Sequence, residues 1–378
     1  MRMANRELTR RQLLQTIGGT TALVTAGGLA TARPTAEVEV NIGFKNTAGR
    51  VAAERAATAK VRDFSFDAVT LRVPKQALNG LQQRPDVRYI EPNGRLHAFS
   101  QSTPWGIDRV DADVAHDSGY TGSGADIAII DSGIDSDHPD LQSNLGSGVA
   151  MVGCKGRCAY DWDDDNGHGT HCAGTADAVD NTEGVVGVST EATLHAVKVL
   201  DKRGSGSYSD VAAGIEYVAD QGWDVGSLSL GGSKSAVVED ACEYAYGKGV
   251  LLVAAAGNSG PCTDCVGYPA AEPECIAVSA TNDTDGLASY SSTGSEVELA
   301  APGTDIYSTY TNGGYETLSG TSMSCPHVAG AGGQLMAQGY SNTEARQQLT
   351  DTAEDIGLAS NEQGAGLLDI AAALGLSS

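Results

Sequence analysis

The sequence is short of basic residues and low in hydropathy. Lys and Arg number 24 among 378 residues, against 48 Asp and Glu, and the mean hydropathy is −0.18. The low hydropathy excludes a polytopic membrane protein. A hydrophobic content of 41% with 48 Gly is enough for a packed core, which excludes a disordered chain. We therefore expect a globular protein with one large domain and appendages.

The shortage of bases is confined to one part of the chain. Residues 1–97 carry 15 basic and 8 acidic side chains, whereas residues 98–378 carry 9 and 40, a net charge of −31. Such a segment repels DNA, RNA and anionic lipid, so we expect no nucleic-acid partner. Because salt screens the self-repulsion of so acidic a surface, the bias indicates adaptation to high salt. A merely acidic enzyme of ordinary salinity is the alternative.

Cysteine is absent from the first 150 residues, and eight cysteines follow. An even number in an exported chain favours disulfides, but the sequence leaves their pairing open. Local bridges are an option within two groups, and the CxxC of the second group is also a weak zinc pattern. The two groups are Cys154 with Cys158, and Cys262 with Cys265 and Cys275.

Residues 1–32 are typical of an export signal. The pair Arg10–Arg11 precedes a mildly apolar run that ends near Ala32, and this pattern resembles a twin-arginine signal, which addresses folded proteins for translocation. The run is too short and too polar to span a membrane permanently. We expect an extracellular protein without a stable membrane anchor; a chance basic start to a cytoplasmic protein is the alternative.

Residues 33–97 form a second compositional unit without cysteine, with 11 basic and 7 acidic residues. Alternating apolar residues predict short strands near 38–40 and 68–73, and an Ala-rich segment predicts a helix at 52–60. The unit thus has α+β character. Its net positive charge is complementary to the net negative charge of residues 98–378. This favours an intramolecular partner, such as a folding-assisting pro-segment, over an independent domain.

Residues 98–378 have the pattern of an α/β domain. A nearly continuous apolar run at 125–130 predicts a parallel strand buried on both faces, and it ends at Asp131. Helical patterns intervene between the strand candidates, which predicts a parallel β-sheet with helices on both faces. The further strand candidates are 193–200, 225–230, 250–256 and 275–281, and the helices include 209–220 and 236–247.

Four stretches of this domain carry reactive groups among small residues. They contain Asp131 in DSGID, His168 in NGHGTHCAG, Asn258 in AAAGNSG and Ser322 in GTSMSCPHVAG. Asp131 and Asn258 each follow an apolar strand, where catalytic groups of open α/β sheets gather. Taken singly, Ser322 is explained equally well as a helix cap and Asn258 as a turn residue.

Together and in this order, the four stretches resemble the subtilisin-like serine proteases, from about Gln101 to about Leu374. The acidity, the arginine pair and the cysteines make the chain most similar to the halolysins of halophilic archaea. The resemblance implies that Ser322 is the nucleophile, His168 the general base and acid, and Asp131 the carboxylate that supports the imidazole. It implies that the Asn258 amide and the Ser322 N–H stabilise the oxyanion.

The resemblance also implies substrate and metal sites. Two segments are similar to those that pair with a peptide backbone, and Gly267 matches the floor of the first specificity pocket, which favours large apolar P1 residues. A further set aligns with a structural Ca²⁺ site. The substrate residues are Gly204, Ser205, Gly206, Ser229, Leu230, Gly231 and Gly267; the calcium residues are Gln101, Asp140, Val179, Asn181, Glu183 and Val185.

Other polar groups leave alternatives open. The aspartates at 161 and 163–165 are either a second, weak cation site or halophilic surface charge, and the HxxH of His168 and His171 is a faint zinc pattern. Cys172 lies where some family members have a cysteine beneath the catalytic histidine. Whether it pairs with Cys325 is open.

These observations predict a secreted, calcium-stabilised serine endopeptidase over residues 98–378. We expect a monomer that acts on proteins and peptides, with residues 33–97 as a pro-domain that inhibits it intramolecularly until cleavage near residues 93–100. One alternative is a catalytically silent binding protein on the same fold, which the presence of all four reactive groups disfavours. Another is a lipase or esterase, which the lack of GxSxG around Ser322 disfavours.

Overall fold

A computed structural model describes residues 37–93, 101–156 and 158–377. The predicted export signal and most of the predicted maturation region lie outside the described residues. The chain divides into two compact units, one within residues 37–93 and one within residues 101–377, which are described separately. None of the described helices has the length and apolar character needed to cross a membrane.

The first unit is a four-stranded antiparallel sheet with two helices. Strand order in the sheet is β2-β3-β1-β4, and Val40 on the central strand lies opposite Leu71. Buried apolar side chains of the sheet and both helices form one small core. The elements are β1 Glu37–Phe44, α1 Thr47–Ala56, β2 Ala59–Asp63, β3 Ala68–Pro74, α2 Lys75–Gln82 and β4 Val87–Pro92.

The helix predicted at 52–60 was placed too late in the sequence. Helix α1 begins earlier because Asn46 caps it, with Oδ1 accepting hydrogen bonds from the N–H groups of Ala48 and Gly49 at 3.0 and 3.2 Å. It ends at Ala56, since Ala57 is extended and leads into β2. The strands predicted near 38–40 and 68–73 are confirmed within β1 and β3.

The second unit contains the predicted parallel sheet. Seven strands pair in parallel in the order β13-β12-β11-β10-β6-β9-β7, and helices cover both faces, so the predicted α/β fold is confirmed. These strands are β6 Asp126–Asp131, β7 Leu145–Ala150, β9 Thr193–Lys198, β10 Val225–Leu228, β11 Leu251–Ala255, β12 Cys275–Thr281 and β13 Val297–Pro302.

The remaining elements surround that sheet. The helices are α3 Trp105–Arg109, α4 Ala112–Asp117, α5 His168–Asp177, α6 Tyr208–Gln221, α7 Ala236–Gly247, α8 Thr321–Ala337, α9 Asn342–Asp351, α10 Ser360–Gln363 and α11 Ile370–Ala373. The outer strands are β5 Gln101–Ser102, β8 Gly184–Val185, β14 Ile306–Tyr310 and β15 Gly314–Leu318.

Strand β6 shows why the sheet has two cores. Successive side chains of a strand point to opposite faces. Ile127 and Ile129 accordingly pack in the core that contains α5 and α8, whereas Ala128 and Ile130 pack in the core beneath α6 and α7. A strand buried on both faces must be apolar throughout, which explains the run read from the sequence.

The order of the strands reverses at β6. From β6 the chain builds one side of the sheet with β7 and β9, and then crosses to build the other side from β10 to β13. Clefts form outside the carboxyl ends of parallel strands at such a reversal. Asp131, the last residue of β6, therefore stands at the position where a functional site is expected.

Candidate active site

Asp131 and His168 form the centre of the site. His168 is the first residue of α5, and its Nδ1 lies 2.9 Å from both carboxylate oxygens of Asp131. Asp131 is fully buried, and its Oδ1 also accepts a hydrogen bond from the Ser132 N–H at 2.6 Å. The carboxylate thus fixes the ring orientation, and the remaining nitrogen, Nε2, is the one available to a substrate or nucleophile.

The segment before His168 is held by the Asp164 carboxylate. Its Oδ1 accepts hydrogen bonds from Ser132 Oγ and from the N–H groups of Asn166 and Gly167, each at 2.9 Å. Its Oδ2 accepts from the Thr170 N–H at 2.9 Å and the Thr170 hydroxyl at 2.6 Å. One side chain therefore joins the end of β6 to the first turn of α5.

The fully buried Lys198 also stabilises the segments around Ser132 and Asp165 through hydrogen bonds. Lys198 Nζ, at the end of β9, donates to the carbonyl of Ser132 at 2.5 Å, to Asp165 Oδ1 at 2.7 Å and to the carbonyl of Leu200 at 3.0 Å. A buried ammonium requires such partners. The only sequence signal for this role is a charged residue ending an otherwise apolar strand, and it was missed.

The aspartates at 161 and 163–165 are not simply surface charge. Asp164 and Asp165 have the internal partners just described, and Asp163 is buried, with Oδ2 accepting from the N–H groups of Ala159 and Tyr160. Asp161 is exposed. Three of these four carboxylates therefore organise the segment before His168, a role that neither sequence interpretation included.

Ser322 enters the site from the opposite side, in the first turn of α8. Its hydroxyl donates to the Ser229 carbonyl at 3.2 Å. Ser229 Oγ and Cys172 Sγ in turn approach the Ser322 carbonyl at 2.8 and 3.4 Å. The serine is thus fixed between α5 and the segment after β10. A hydrogen bond between a nucleophile and its base often tightens only when substrate is bound.

Asn258 follows β11 and is oriented by its neighbour Thr321. Its Oδ1 accepts from the Thr321 N–H at 2.9 Å and from the Thr321 hydroxyl at 3.1 Å. Nδ2 is the hydrogen-bond donor of the same amide. A Cβ at Gly320 would lie 3.4 Å from Nδ2, so the glycine keeps the space beside that donor open.

A cavity of about 510 Å³ adjoins His168. Six of the seven predicted substrate residues line it: Gly204, Ser205, Gly206, Ser229, Leu230 and Gly231. Gly267 is not among the lining residues, and a Cβ there would meet the carbonyls of Ala256 and Gly232 in ordinary contact at 3.8 Å. Its role as a pocket floor stays a prediction.

Part of the cavity wall was not predicted. Tyr208, Val238, Tyr268 and Glu272 also line it, and Glu272 is buried. Burial raises the pKa of the Glu272 carboxyl. These residues come from α6, α7 and the loop before β12, so no local pattern in the sequence joins them.

The residues predicted to bind calcium lie together. Gln101 Nε2 donates to the carbonyls of Val179 and Val185 at 2.7 and 3.0 Å, and the Asn181 N–H donates to Gln101 Oε1. The fully buried Asp140 accepts from Asn181 Nδ2 at 2.8 Å. Carbonyl, amide and carboxylate oxygens are the ligands that Ca²⁺ prefers, so the residues that lie together here fit the ion.

Gly184 lies among these residues, where its backbone passes close to the oxygen atoms of two side chains. Gly184 has φ +71°, and a Cβ there would lie 1.9 Å from Asp140 Oδ2 and 2.1 Å from the Tyr315 hydroxyl. Only glycine is compatible with both restrictions. Glu183 contributes its N–H to Asn181 Oδ1 at 2.7 Å.

The cysteines resolve into two disulfides and four thiols. Cys154 pairs with Cys158 and Cys262 with Cys265, so the CxxC is not a zinc site. Cys172 and Cys325 are both buried thiols and do not pair with each other. Cys275 does not join the local bridge and instead lies beside Cys242.

The HxxH pattern does not form a zinc site either. The His171 side chain turns away from the site, with Nε2 3.0 Å from the Ile306 carbonyl. Among the described residues, the one group of three potential metal ligands is Asp131, His168 and Cys172, and Nδ1 of His168 is already engaged by the carboxylate.

The three histidines of this region differ in the direction of their pKa shifts. Burial disfavours the His168 imidazolium, but the adjacent Asp131 carboxylate and the nearby Cys172 together outweigh burial and hold the pKa of His168 well above its ordinary value of 6.5. Burial without such a partner lowers the pKa of His171 and of His327 to about 4. His168 is therefore the one of these three that holds a proton readily near neutral pH.

Comparisons with known proteins agree on one family. The model of the subtilase family matches residues 122–366. The chain is 38% identical over 357 residues to subtilisin E of Bacillus subtilis (strain 168), covering 91% of this chain and 92% of that protein. It is 45% identical over 277 residues to subtilisin Savinase of Lederbergia lenta, 72% and 99% respectively. It is 42% identical over 308 residues to an alkaline protease of Shouchella clausii, 81% and 78%.

The Asp131–His168 pair generates a prediction about titration. In Asp131→Asn, the pKa of His168 should fall below its value in the parent chain, because burial remains while the carboxylate charge is lost. Histidine NMR titration measures this, with His327 as the internal control that keeps its pKa near 4. An unchanged His168 pKa would show that Asp131 does not set it.

Proposed function

The chain belongs to the subtilase family and is a serine endopeptidase, and we propose that Asp131, His168, Ser322 and Asn258 carry its reaction. The observation that supports this most directly is the contact of His168 Nδ1 with both oxygens of the buried Asp131. It leaves Nε2 to act on the Ser322 hydroxyl. Serine is a weak nucleophile until a positioned base takes its proton.

The reaction begins with transfer of the Ser322 proton. Ser322 Oγ leaves the Ser229 carbonyl, gives its proton to His168 Nε2 and attacks the carbonyl carbon of the peptide bond. The imidazolium that forms is stabilised by Asp131 and then protonates the leaving amine. Since only neutral His168 accepts a proton, the active form increases as pH rises through the raised pKa of His168. Water then releases the acyl group: His168 takes a proton from the attacking water, and the imidazolium returns a proton to Ser322 Oγ as the acyl bond breaks.

The oxyanion is stabilised by two donors. Thr321 engages the Oδ1 of Asn258, and a Cβ at Gly320 would lie 3.4 Å from Asn258 Nδ2 and 3.7 Å from the Ser322 nitrogen, so both donors border the same space. Donors fixed before the reaction need no reorganisation as charge develops on the substrate oxygen. The orientation of Asn258 by Thr321 supports this role.

Peptide substrates bind, in this proposal, along the cavity beside His168. The Gly204–Gly206 and Ser229–Gly231 segments flank it, and their glycines permit a peptide backbone to approach and pair as an added strand. The apolar side chains of Leu200, Val211 and Leu230 favour large apolar substrate residues in the cavity. We propose broad specificity with large apolar residues at P1, where Gly267 leaves room.

A structural calcium ion accompanies this activity in the proposal. Val179, Glu183 and Val185 would supply carbonyl oxygens, and Gln101, Asp140 and Asn181 side-chain oxygens, after the Gln101 amide turns its oxygen inward. The bound ion would fasten the segment 179–185 to β5 and Asp140 and thereby resist unfolding. No reaction step passes through it.

We further propose that the chain is exported by the twin-arginine pathway, functions outside the cell as a monomer, and is salt-adapted as the halolysins are. Residues 33–97, of opposite charge sign to residues 98–378, serve as the folding and inhibitory pro-domain that is cleaved near residues 93–100. Subtilases in general have such propeptides, which supports this assignment. The export signal rests on the sequence of residues 1–32.

Substitution of the proposed catalytic residues tests their roles. Ser322→Ala should lower hydrolysis of a peptide amide with an aromatic P1 residue by about 10⁶-fold, and Asn258→Ala should lower kcat by about 10²- to 10³-fold. The exposed serine variant Ser319→Ala should keep the parent rate. Phenylmethylsulfonyl fluoride should abolish activity of the parent. Parent-like rates in Ser322→Ala, or no cleavage by the folded parent, would refute the proposed machinery.

Calcium removal tests the metal proposal in the inactive Ser322→Ala chain, where autolysis does not interfere. Saturating Ca²⁺ should raise the Tm by roughly 5–10 °C over the chelated protein, since ligand at 100 times its Kd stabilises by about 2.7 kcal/mol. Asp140→Asn should lose most of this increase, whereas Asp283→Asn, at an exposed aspartate, should keep it. Equal Tm values with and without calcium would contradict the site.

Salt dependence tests the proposed halophilic adaptation. Residues 98–378 carry a net charge of −31, so the free energy of unfolding of the Ser322→Ala chain should rise steadily with NaCl as self-repulsion is screened. Denaturant titrations at low and at multimolar salt, all with calcium, measure it. A stability that does not change over this range would mean that the acidic surface is not an adaptation to salt.

A further inference from the structure

Two buried thiols lie side by side in the core beneath α6 and α7. Cys242 on α7 and Cys275 at the start of β12 have their Sγ atoms 3.9 Å apart. Their side chains are 0% and 2% exposed, so neither is in contact with solvent. They are 33 residues apart in the sequence, and only the fold brings them together.

The described residues around the two sulfur atoms do not form a metal-binding group with them. Both cysteines belong to an apolar cluster with Ala245, Val250 and Leu252. In the part of the chain that the structure describes, no third His, Cys, Asp or Glu atom completes a metal-binding group with the two sulfur atoms. A structural zinc site needs four such ligands, so a zinc site does not explain the contact between the two sulfur atoms.

We propose that Cys242 and Cys275 form a third disulfide in the mature protein. The bond requires the sulfurs to approach by about 1.9 Å, from 3.9 Å to a separation of about 2.05 Å. Because both thiols are buried once the domain is packed, the exchange takes place during folding, while they are still accessible. The oxidant is a low-molecular-weight disulfide. One thiolate attacks it and releases a thiol, and the second thiolate then attacks the mixed disulfide and releases the other, so that two protein thiols are oxidised and one external disulfide is reduced.

This bridge differs from the other two in the length of chain that it closes. Cys154–Cys158 and Cys262–Cys265 have sequence separations of 4 and 3, whereas Cys242 and Cys275 are separated by 33. In the chain-entropy account, a disulfide restricts the unfolded chain more as its loop lengthens. The third bridge would therefore be the principal covalent stabiliser of this domain.

The segment that it encloses carries part of the site. Residues 243–274 include Asn258, Gly267 and the cavity residue Tyr268, and α7 supplies the cavity residue Val238. A bond between α7 and β12 would fasten both ends of this segment to the sheet. The inference concerns covalent structure and holds whether or not the proposed peptidase machinery is correct.

Mapping of thiols tests the bridge directly. The full Ser322→Ala chain is refolded with oxidised and reduced glutathione, alkylated in denaturant without reduction, digested and analysed by mass spectrometry. The expected result is a linked pair of peptides containing Cys242 and Cys275, with Cys172 and Cys325 alkylated. Alkylation of both Cys242 and Cys275, or linkage of either to another cysteine, would overturn the proposal.

Thermal stability gives a second, independent readout in the same Ser322→Ala background. Cys242→Ala, Cys275→Ala and the double variant should each lower the Tm by a similar amount, roughly 5–10 °C, because each removes the same bond. The double variant Cys262→Ala/Cys265→Ala is the matched control and should lose less, since its loop is short. If the losses of the two single variants add in the double variant, the side chains act as separate thiols and the bridge is disproved.

Discussion

Burial of both faces of the seven-strand sheet is the constraint on which the rest of this structure depends. A parallel strand covered by helices on both sides must be apolar along its length, as β6 is from Ile127 to Ile130. Polar groups are therefore found where strands end. Asp131, the segment from Ser229 and Asn258 follow three neighbouring strands, so their meeting at one edge is a consequence of how the core is packed.

The edge itself is held by buried polar contacts. Asp164 receives five hydrogen bonds from the segments on either side of it, and Lys198 joins β6, β9 and Asp165 without exposure to solvent. Buried polar groups with all partners in place restrict conformational freedom, while the same groups without partners would be costly. This network explains why His168 can be held against Asp131 at the start of a helix whose N-cap residue, Gly167, has no side chain.

Stability and activity share residues in this protein. The segment 179–185, which we assign to calcium, contacts Asp140 in the same loop that follows Asp131. The loop between β11 and β12 contains one disulfide, one wall of the cavity and Asn258. A large acidic surface adds little to folding at low salt. Local fastening of the loops by the disulfides, and by the proposed cation, would therefore support the geometry that the reaction needs.

The sequence by itself determined the fold class, five of the seven strands of the large sheet and the helices α6 and α7, and it predicted the four reactive residues, because apolar periodicity and local motifs depend only on neighbours in the chain. Only the tertiary structure decided which cysteines pair, that Asp163, Asp164 and Asp165 face inward, that Lys198 is buried, and that Val238 and Glu272 share a cavity wall. The two disulfides are short-range, but the burial of Lys198 and the lining of the cavity depend on which segments become neighbours across many residues. Local spacing does not contain that information, since contacts between distant segments are set by the packing of the whole domain.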